Sequence, residues 1–243
     1  MYYQNYYENL KDVLEQIFTQ ENEKIRQAGA MLAETLEKDG LLYVFGSGHS
    51  HILAEELFYR AGGLLSVYPI FDTVTMLHEG AAKSSQVERM SGYAQHLIDR
   101  YPIGPNDILL LSSNSGINPL CMEMAEIASQ KGAKVIGISS LAYLDKPSRH
   151  KDGKHLPDFC DICLDNHVPV GDATIQVCED GTKAGPVSTV AILSIAHAMV
   201  LEACEIMNSH GVQPKVFRSA NCPGNDAYNA VMLKEFSSRI RCL

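Results

Sequence analysis

Leu41-Leu42-Tyr43-Val44-Phe45-Gly46-Ser47-Gly48-His49-Ser50 is an apolar strand running into a glycine and hydroxyl turn, and helix-like sequence follows at once. Glycines let a backbone turn tightly and approach a ligand, while a helix start offers unpaired N–H groups and the positive end of its macrodipole. Ser47, His49 and Ser50 add side-chain donors. The turn is therefore an anion site with phosphate as its natural guest.

Working outward, Asp107-Ile108-Leu109-Leu110-Leu111 leads into a second such turn, Ser112-Ser113-Asn114-Ser115-Gly116-Ile117-Asn118-Pro119, with a helical pattern from about Leu120 to Lys131. One Ser/Asn-rich loop reads equally well as a turn with a helix cap. Two of them change the reading, because neighbouring parallel strands place their loops side by side. Ser47, Ser50, Ser113, Ser115 and Asn118 then converge on one phosphorylated ligand.

Further apolar runs at Leu65–Ile70, Lys134–Ile138, Cys160–Leu164 and Thr174–Val177 read as strands, several of them separated by helical segments. Short buried strands alternating with helices indicate an α/β fold, a three-layer α-β-α sandwich around a central parallel sheet. Tyr7 to Lys38 carries apolar residues at helical spacing, as one long amphipathic helix or a pair, and Asp39-Gly40 supplies a C-cap. No Gly/Ser/Pro-rich linker divides the 243 residues, so a single domain is expected: an N-terminal helical segment 1–39, an α/β core 40–208 and a C-terminal arm 209–243.

Twenty basic against 29 acidic side chains give a net charge of −9, which opposes nucleic-acid or anionic-membrane binding and points to a small-molecule partner. The first residues lack the pattern of a signal peptide, no run approaches about 18 uninterrupted apolar residues, and a cytoplasmic location is expected. Seven cysteines, an odd count without disulfide-scaffold spacing, suit a reducing compartment. Cys160 and Cys163 should point to opposite faces of their strand, so their sulfurs should diverge.

Neither loop holds a lysine, and no Gly-Lys-Ser/Thr ends either one, which argues against a P-loop. A dinucleotide fold lacks its third glycine and its acidic residue. The two loops together resemble those of the sugar isomerase (SIS) domain family: Gly46-Ser47-Gly48-His49-Ser50 is similar to its first loop, and Ser113-Asn114-Ser115-Gly116 to its second, phosphate-gripping loop. The resemblance spans roughly Leu41 to Asn208 and is narrowest toward single-SIS proteins labelled phosphoheptose isomerases. It implies the SIS fold behind a long N-terminal helix, a phosphosugar ligand and a homo-oligomer, a dimer or tetramer, with shared sites. Where Asn118 stands the family usually has Ser or Thr.

Aldose–ketose isomerisation needs a base to move a proton between C1 and C2 and an acid to manage the oxygen. Ala54-Glu55-Glu56-Leu57 resembles a stretch in which phosphoheptose isomerases carry a functional glutamate, here Glu56, which can also pair with Arg60 as a solvated face. His78-Glu79-Gly80-Ala81 is similar to the Glu-Gly-Ala of SIS etherases, which makes Glu79 an acid/base candidate or a surface residue. His197, on an apolar helical run from Pro186 to Met207 and two turns after Thr189, occupies the position of a functional histidine in phosphoheptose isomerases; a core or interface histidine is the alternative.

The catalytic candidates are thus Glu56, Glu79 and His197, and the phosphate ligands Ser47, His49, Ser50, Ser113, Ser115 and Asn118. No compact ligand spacing links His49, His51, His78 and His197, so no cofactor or metal site is read from the sequence, while the resemblance leaves a divalent metal such as zinc open. The arm should be ordered, with Val216-Phe217 as an edge strand and Arg218 available to a neighbouring site. The expected activity is phosphosugar isomerisation, the alternatives being a non-catalytic sugar-phosphate sensor and a sugar-phosphate lyase.

Overall fold

A computed structural model describes residues 1–243. The amphipathic stretch is a pair of helices, α1 (Tyr2–Gln20) and α2 (Asn22–Glu37), that meet at Glu21. Their apolar stripes bury Val13 and Ile17 from the first, and Ile25, Ala28 and Leu32 from the second. The C-terminal stop is made by Asp39 in the left-handed region, φ 62°, one residue ahead of the expected glycine.

The chain continues through β1 (Leu42–Gly46), α3 (Ile52–Leu57), β2 (Val67–Pro69), α4 (Ala81–Val87), α5 (Tyr93–Ile98), β3 (Ile108–Ser112), α6 (Pro119–Gln130), β4 (Lys134–Ser139) and β5 (Ile162–Asp165). After these come β6 (Ala173–Gln176), β7 (Lys183–Pro186), α7 (Ser188–Ser209) and α8 (Asn225–Phe236). The first five strands form one parallel sheet in the order β2-β1-β3-β4-β5.

Both faces of that sheet are covered, which is why its strands are uninterrupted apolar runs. Leu42, Val44, Ile108 and Leu110 face one layer with α1, α2, α3 and α7. Tyr43, Phe45, Leu109 and Leu111 face the other, with α5, α6 and α8. Ile108 to Leu111 are entirely buried, and each such side chain contributes about 1.5–3 kcal/mol in transfer free energy. The three-layer sandwich is the one the strand pattern implies.

Three expectations need correction. Thr174–Val177 does not join the parallel sheet; β6 pairs antiparallel with β7 in a separate hairpin turned at Gly181, φ 88°, and seated against α1, where the Tyr6 hydroxyl donates to the Pro186 carbonyl. Cys160 lies before its strand rather than in it, because a 3-10 turn at Leu156–Phe159 delays β5 to Ile162. Its sulfur therefore converges with that of Cys163 over Gly137, where an added Cβ would stand 2.6 Å from Cys160 Sγ and 3.4 Å from Cys163 Sγ. The helix leaving the first loop is also short, six residues preceded by a 3-10 turn at Gly48–His51, so its macrodipole is weak. Separately, α7 is long and apolar enough to cross a membrane by length and composition alone, yet Ser194, His197, Glu202 and Glu205 interrupt its apolar run, as the sequence reading has it, and its inner face is buried against α2 and the sheet.

The arm packs back on the core, but Val216-Phe217 makes a single bridge rather than the expected edge strand. Leu64 and Val216 form an antiparallel bridge, and Leu65 N–H donates to Lys215 O. Arg218 stacks on Tyr228 of its own arm, 3.8 Å from the ring centroid, rather than standing free.

Candidate functional site

The sheet order fixes where the two turns meet. From β1 the chain crosses to β2 on one side, then returns to β3 on the other, so the crevice between β1 and β3 is a topological switch point, where open α/β sheets bind ligands. Gly46, the last residue of β1, is in register with Ser112, the last of β3. The Ser47–Ser50 and Ser113–Asn118 turns therefore leave the same end of adjacent strands.

The second turn is oriented by its carbonyls. Ser140 N–H donates to Asn114 O, Leu156 N–H to Gly116 O and Arg149 N–H to Ile117 O, each at 2.9 Å, which draws the oxygens toward the segment after β4. The N–H groups of Asn114, Ser115, Ile117 and Asn118 then have no acceptor in the chain. A run of undirected amides in a turn is an anion nest. Gly116, at φ 60°, makes the bend; a Cβ there would lie 2.6 Å from Ser139 Oγ, so other residues are excluded on both counts. Fully buried Asn166 braces the turn by donating to Asn114 Oδ1 at 2.8 Å.

Side chains divide between free and committed. The Ser50 and Ser115 hydroxyls and the His49 ring make no hydrogen bond within the chain, whereas Ser47 donates to Glu88 Oε2 at 3.0 Å. Ser113 Oγ accepts Gly116 N–H, which leaves its proton to donate. Asn118 accepts from Arg149 Nη1 at 2.8 Å and keeps its amide NH2. The first turn is tied to the loop after β2 by Gly48 N–H donating to Thr75 O, and Ser84 caps the same carbonyl.

Glu56 and His197 are brought together from α3 and α7, with His197 Nε2 2.8 Å from Glu56 Oε1. The same oxygen accepts from Arg60, so the glutamate is held between two donors. Burial, with the Arg60 charge adding to it, lowers the His197 pKa below its ordinary value. A neutral imidazole donating through Nε2 keeps the Nδ1 lone pair for a proton. Thr189, Ile192 and Leu193 of α7 line a narrow cleft with His49 and Ser50 of the first turn, and His197 is one turn, about 6 Å, further along α7 from Leu193.

Glu79 is not part of this pair. Its carboxylate is bound by Lys83 and by Thr73, which lower its pKa, so it stands ionised on an exposed loop. The cleft at the first turn measures only about 20 Å³, while a wider depression of about 420 Å³ on the outer face of α1 is lined mainly by Tyr7, Leu10, Leu14 and Phe18, with Lys11, Glu15 and Thr19, and lies on one helix away from both turns. Chemistry, not volume, marks the site.

Three residues beside the turns escaped the sequence reading: Arg149, Asn166 and Glu88. Each reaches the site from a loop or helix remote in sequence, and Arg149 sits in a polar stretch, Lys146 to Lys154, with no motif. Only the β4–β5 neighbourhood reveals it.

An open, doubly wound parallel sheet with glycine- and hydroxyl-rich turns at its switch point is the class that the fold and this geometry define. Within that class the chain belongs to the SIS domain family, whose profile matches residues 5–140. A UPF0309 protein of Listeria monocytogenes serotype 4b is 42% identical over 240 residues, 98% of this chain and 97% of the relative. Another, from Halalkalibacterium halodurans, is 38% identical over 240 residues, covering 98% and 96%. The solved structure of a phosphoheptose isomerase from Francisella tularensis aligns over 83% of this chain and 96% of its own, with a TM-score of 0.51 at 16% identity, a likeness of fold alone.

Proposed function

We propose that the chain binds the phosphate of a phosphorylated sugar between the turns after β1 and β3 and isomerises the sugar by proton transfer. The observation that carries this reading is the set of unacceptored amides at Asn114, Ser115, Ile117 and Asn118 in the turn that leaves β3 beside the end of β1, together with the Ser50, Ser113 and Ser115 hydroxyls of the two turns. A dianionic phosphate satisfies those donors together, and each charge-assisted bond contributes about 1.5–3 kcal/mol. Arg149 supplies the nearby positive charge that neither turn contains.

In the proposed reaction, neutral His197 takes the proton from C2 or C1 of the open-chain sugar through Nδ1 and returns it to the neighbouring carbon, while the hydroxyl proton passes between O2 and O1 through solvent water. Glu56, anchored by Arg60, sets the ring orientation through Nε2 and stabilises the imidazolium that forms. Glu79 serves neither step in this scheme: an ionised, lysine-bound carboxylate is a poor acid, which disfavours the lyase alternative.

The working protein is taken as a cytoplasmic homo-oligomer. Val190, Ser194, His197 and Leu201 share one stripe of α7, and Val190 and Leu201 are 39% and 68% exposed. A second copy on that stripe would cover the apolar residues and roof the shallow cleft.

Incubation with hexose, heptose and amino-sugar phosphates in D2O tests the activity. Deuterium at C2, lost in His197→Gln, is expected. Binding without incorporation from any of these sugars would refute isomerisation and favour the sensing alternative.

A further inference from the structure

Beside the first turn, and separate from the Glu56–His197 pair, three side chains converge that the phosphosugar reading does not use. His51 closes the 3-10 turn and is buried, at 7% exposure; Glu55 lies one helical turn on; His78 comes from the loop after β2. Their donor atoms all lie within 4.8 Å of one another. Glu55 and Glu56 are successive residues of α3, so they project about 100° apart and serve different neighbours.

The tautomer of His51 makes the cluster unusual. Its Nδ1 hydrogen-bonds to the Gly48 carbonyl, which can only accept, so the ring proton is on Nδ1. Nε2 then carries a lone pair, and it faces Glu55 Oε1 at 3.2 Å. In the neutral ring this is a lone pair turned toward a carboxylate oxygen, a gap that a cation fills. The His78 ring stands 5.5 Å from His51, centroid to centroid, at 64°, and brings a third donor atom to the same point.

We propose that His51, Glu55 and His78 bind a divalent first-row metal ion, with zinc as the best match to a two-imidazole, one-carboxylate set. The Nδ1–H to backbone carbonyl bond is the outer contact that metal-bound imidazoles ordinarily make, and it aims Nε2 at the ion. Ligands of a tetrahedral zinc stand about 3.4 Å apart. His51 is fixed by burial, so the exposed Glu55 and His78 close the remaining distance by rotation about their side-chain bonds. The fourth position stays open to water or a ligand oxygen. Metal binding does not depend on the phosphosugar reading; where both hold, the ion adds positive charge beside a turn that has no lysine or arginine.

The test uses the full chain stripped with a chelator and dialysed, then titrated with Zn2+ by calorimetry and with Co2+ by visible absorption. The proposal expects one tight equivalent and the ligand-field bands of four-coordinate cobalt. His78→Ala and Glu55→Gln, both at exposed positions, should each weaken zinc by about tenfold or more. His197→Gln should bind as wild type does. Absence of stoichiometric binding, wild-type affinity in His78→Ala, or loss confined to His197→Gln would each overturn the assignment. None of these readouts uses sugar or turnover, so their failure leaves the isomerase reading untouched, and failure of deuterium exchange leaves this one untouched.

Discussion

Gly46→Ala tests the packing that sets the first turn. An alanine Cβ at this position would lie 2.3 Å from the Ser50 carbonyl oxygen, 2.5 Å from its carbonyl carbon and 2.8 Å from its Cβ. Carbon atoms in ordinary contact are about 3.5 Å apart, so the turn must move by about 1 Å or hold the strain. Held strain of this kind costs about 1–3 kcal/mol, and at about 2–4 °C per kcal/mol for a chain of this size the midpoint of unfolding falls by about 2–12 °C. Movement instead carries the Ser50 hydroxyl about 1 Å away from a bound phosphate, beyond hydrogen-bond reach, and raises Kd about tenfold or more. Gly104→Ala is the control, since nothing lies within 4 Å of its added Cβ; it should be neutral or stabilise by up to about 1 kcal/mol. Differential scanning fluorimetry with and without sugar phosphate reads both arms. If Gly46→Ala melts and binds like wild type, the turn is not packed against Ser50 and the site geometry is wrong.

Arg149→Ala should weaken sugar-phosphate binding by about tenfold, equivalent to about 1.4 kcal/mol, and flatten its salt dependence; unchanged calorimetric Kd at low salt would remove Arg149 from the site. Because the His197 pKa is lowered in the folded chain, the unfolded state binds more protons as pH drops through the ordinary histidine value of about 6.5, so stability from this group is present above that range and declines below it. Deuterium exchange by the wild type should decline as His197 protonates, and the pH effect on stability should vanish in His197→Gln, as the wild-type exchange profile and urea titrations of both proteins at pH 8 and 5.5 would reveal. Among the thiols, Cys178, Cys222 and Cys242 are exposed, whereas burial pushes Cys121 up to about 12 and the adjacent Cys163 thiol, with burial, raises Cys160. Native-state alkylation followed by peptide mass spectrometry should modify the exposed set first; early labelling of Cys121 would contradict the packing of α6.

The parallel sheet was legible because Leu42–Phe45 and Ile108–Leu111 bury both faces, which leaves unbroken apolar runs, and the turns after them keep glycine and hydroxyl residues for a backbone reason. The β6–β7 hairpin was missed as such because Thr174–Val177 looks like any short strand until its partner, Lys183–Pro186, a polar and glycine-containing segment, is seen beside it. The convergence of Cys160 and Cys163 was missed because Cys160 lies ahead of β5, just after the Leu156–Phe159 turn, where the alternation of a strand does not apply. The Glu56–His197 contact was suggested only by resemblance, since residues 141 apart carry no local signal. His51 and Glu55 do have a local sign, four-residue spacing at a helix start, but His78 comes from the next strand's loop. Arg149 and Asn166 reach the second turn only through the adjacency of β3, β4 and β5.

A structure of the chain with its tightest-binding sugar phosphate, chosen by thermal shift across hexose, heptose and amino-sugar phosphates, tests the central claim most directly. The account predicts phosphate oxygens within about 3 Å of the Ser115 and Asn118 amides and the Ser50 and Ser115 hydroxyls, between the ends of β1 and β3. Phosphate bound elsewhere, with those amides turned to water, would contradict it.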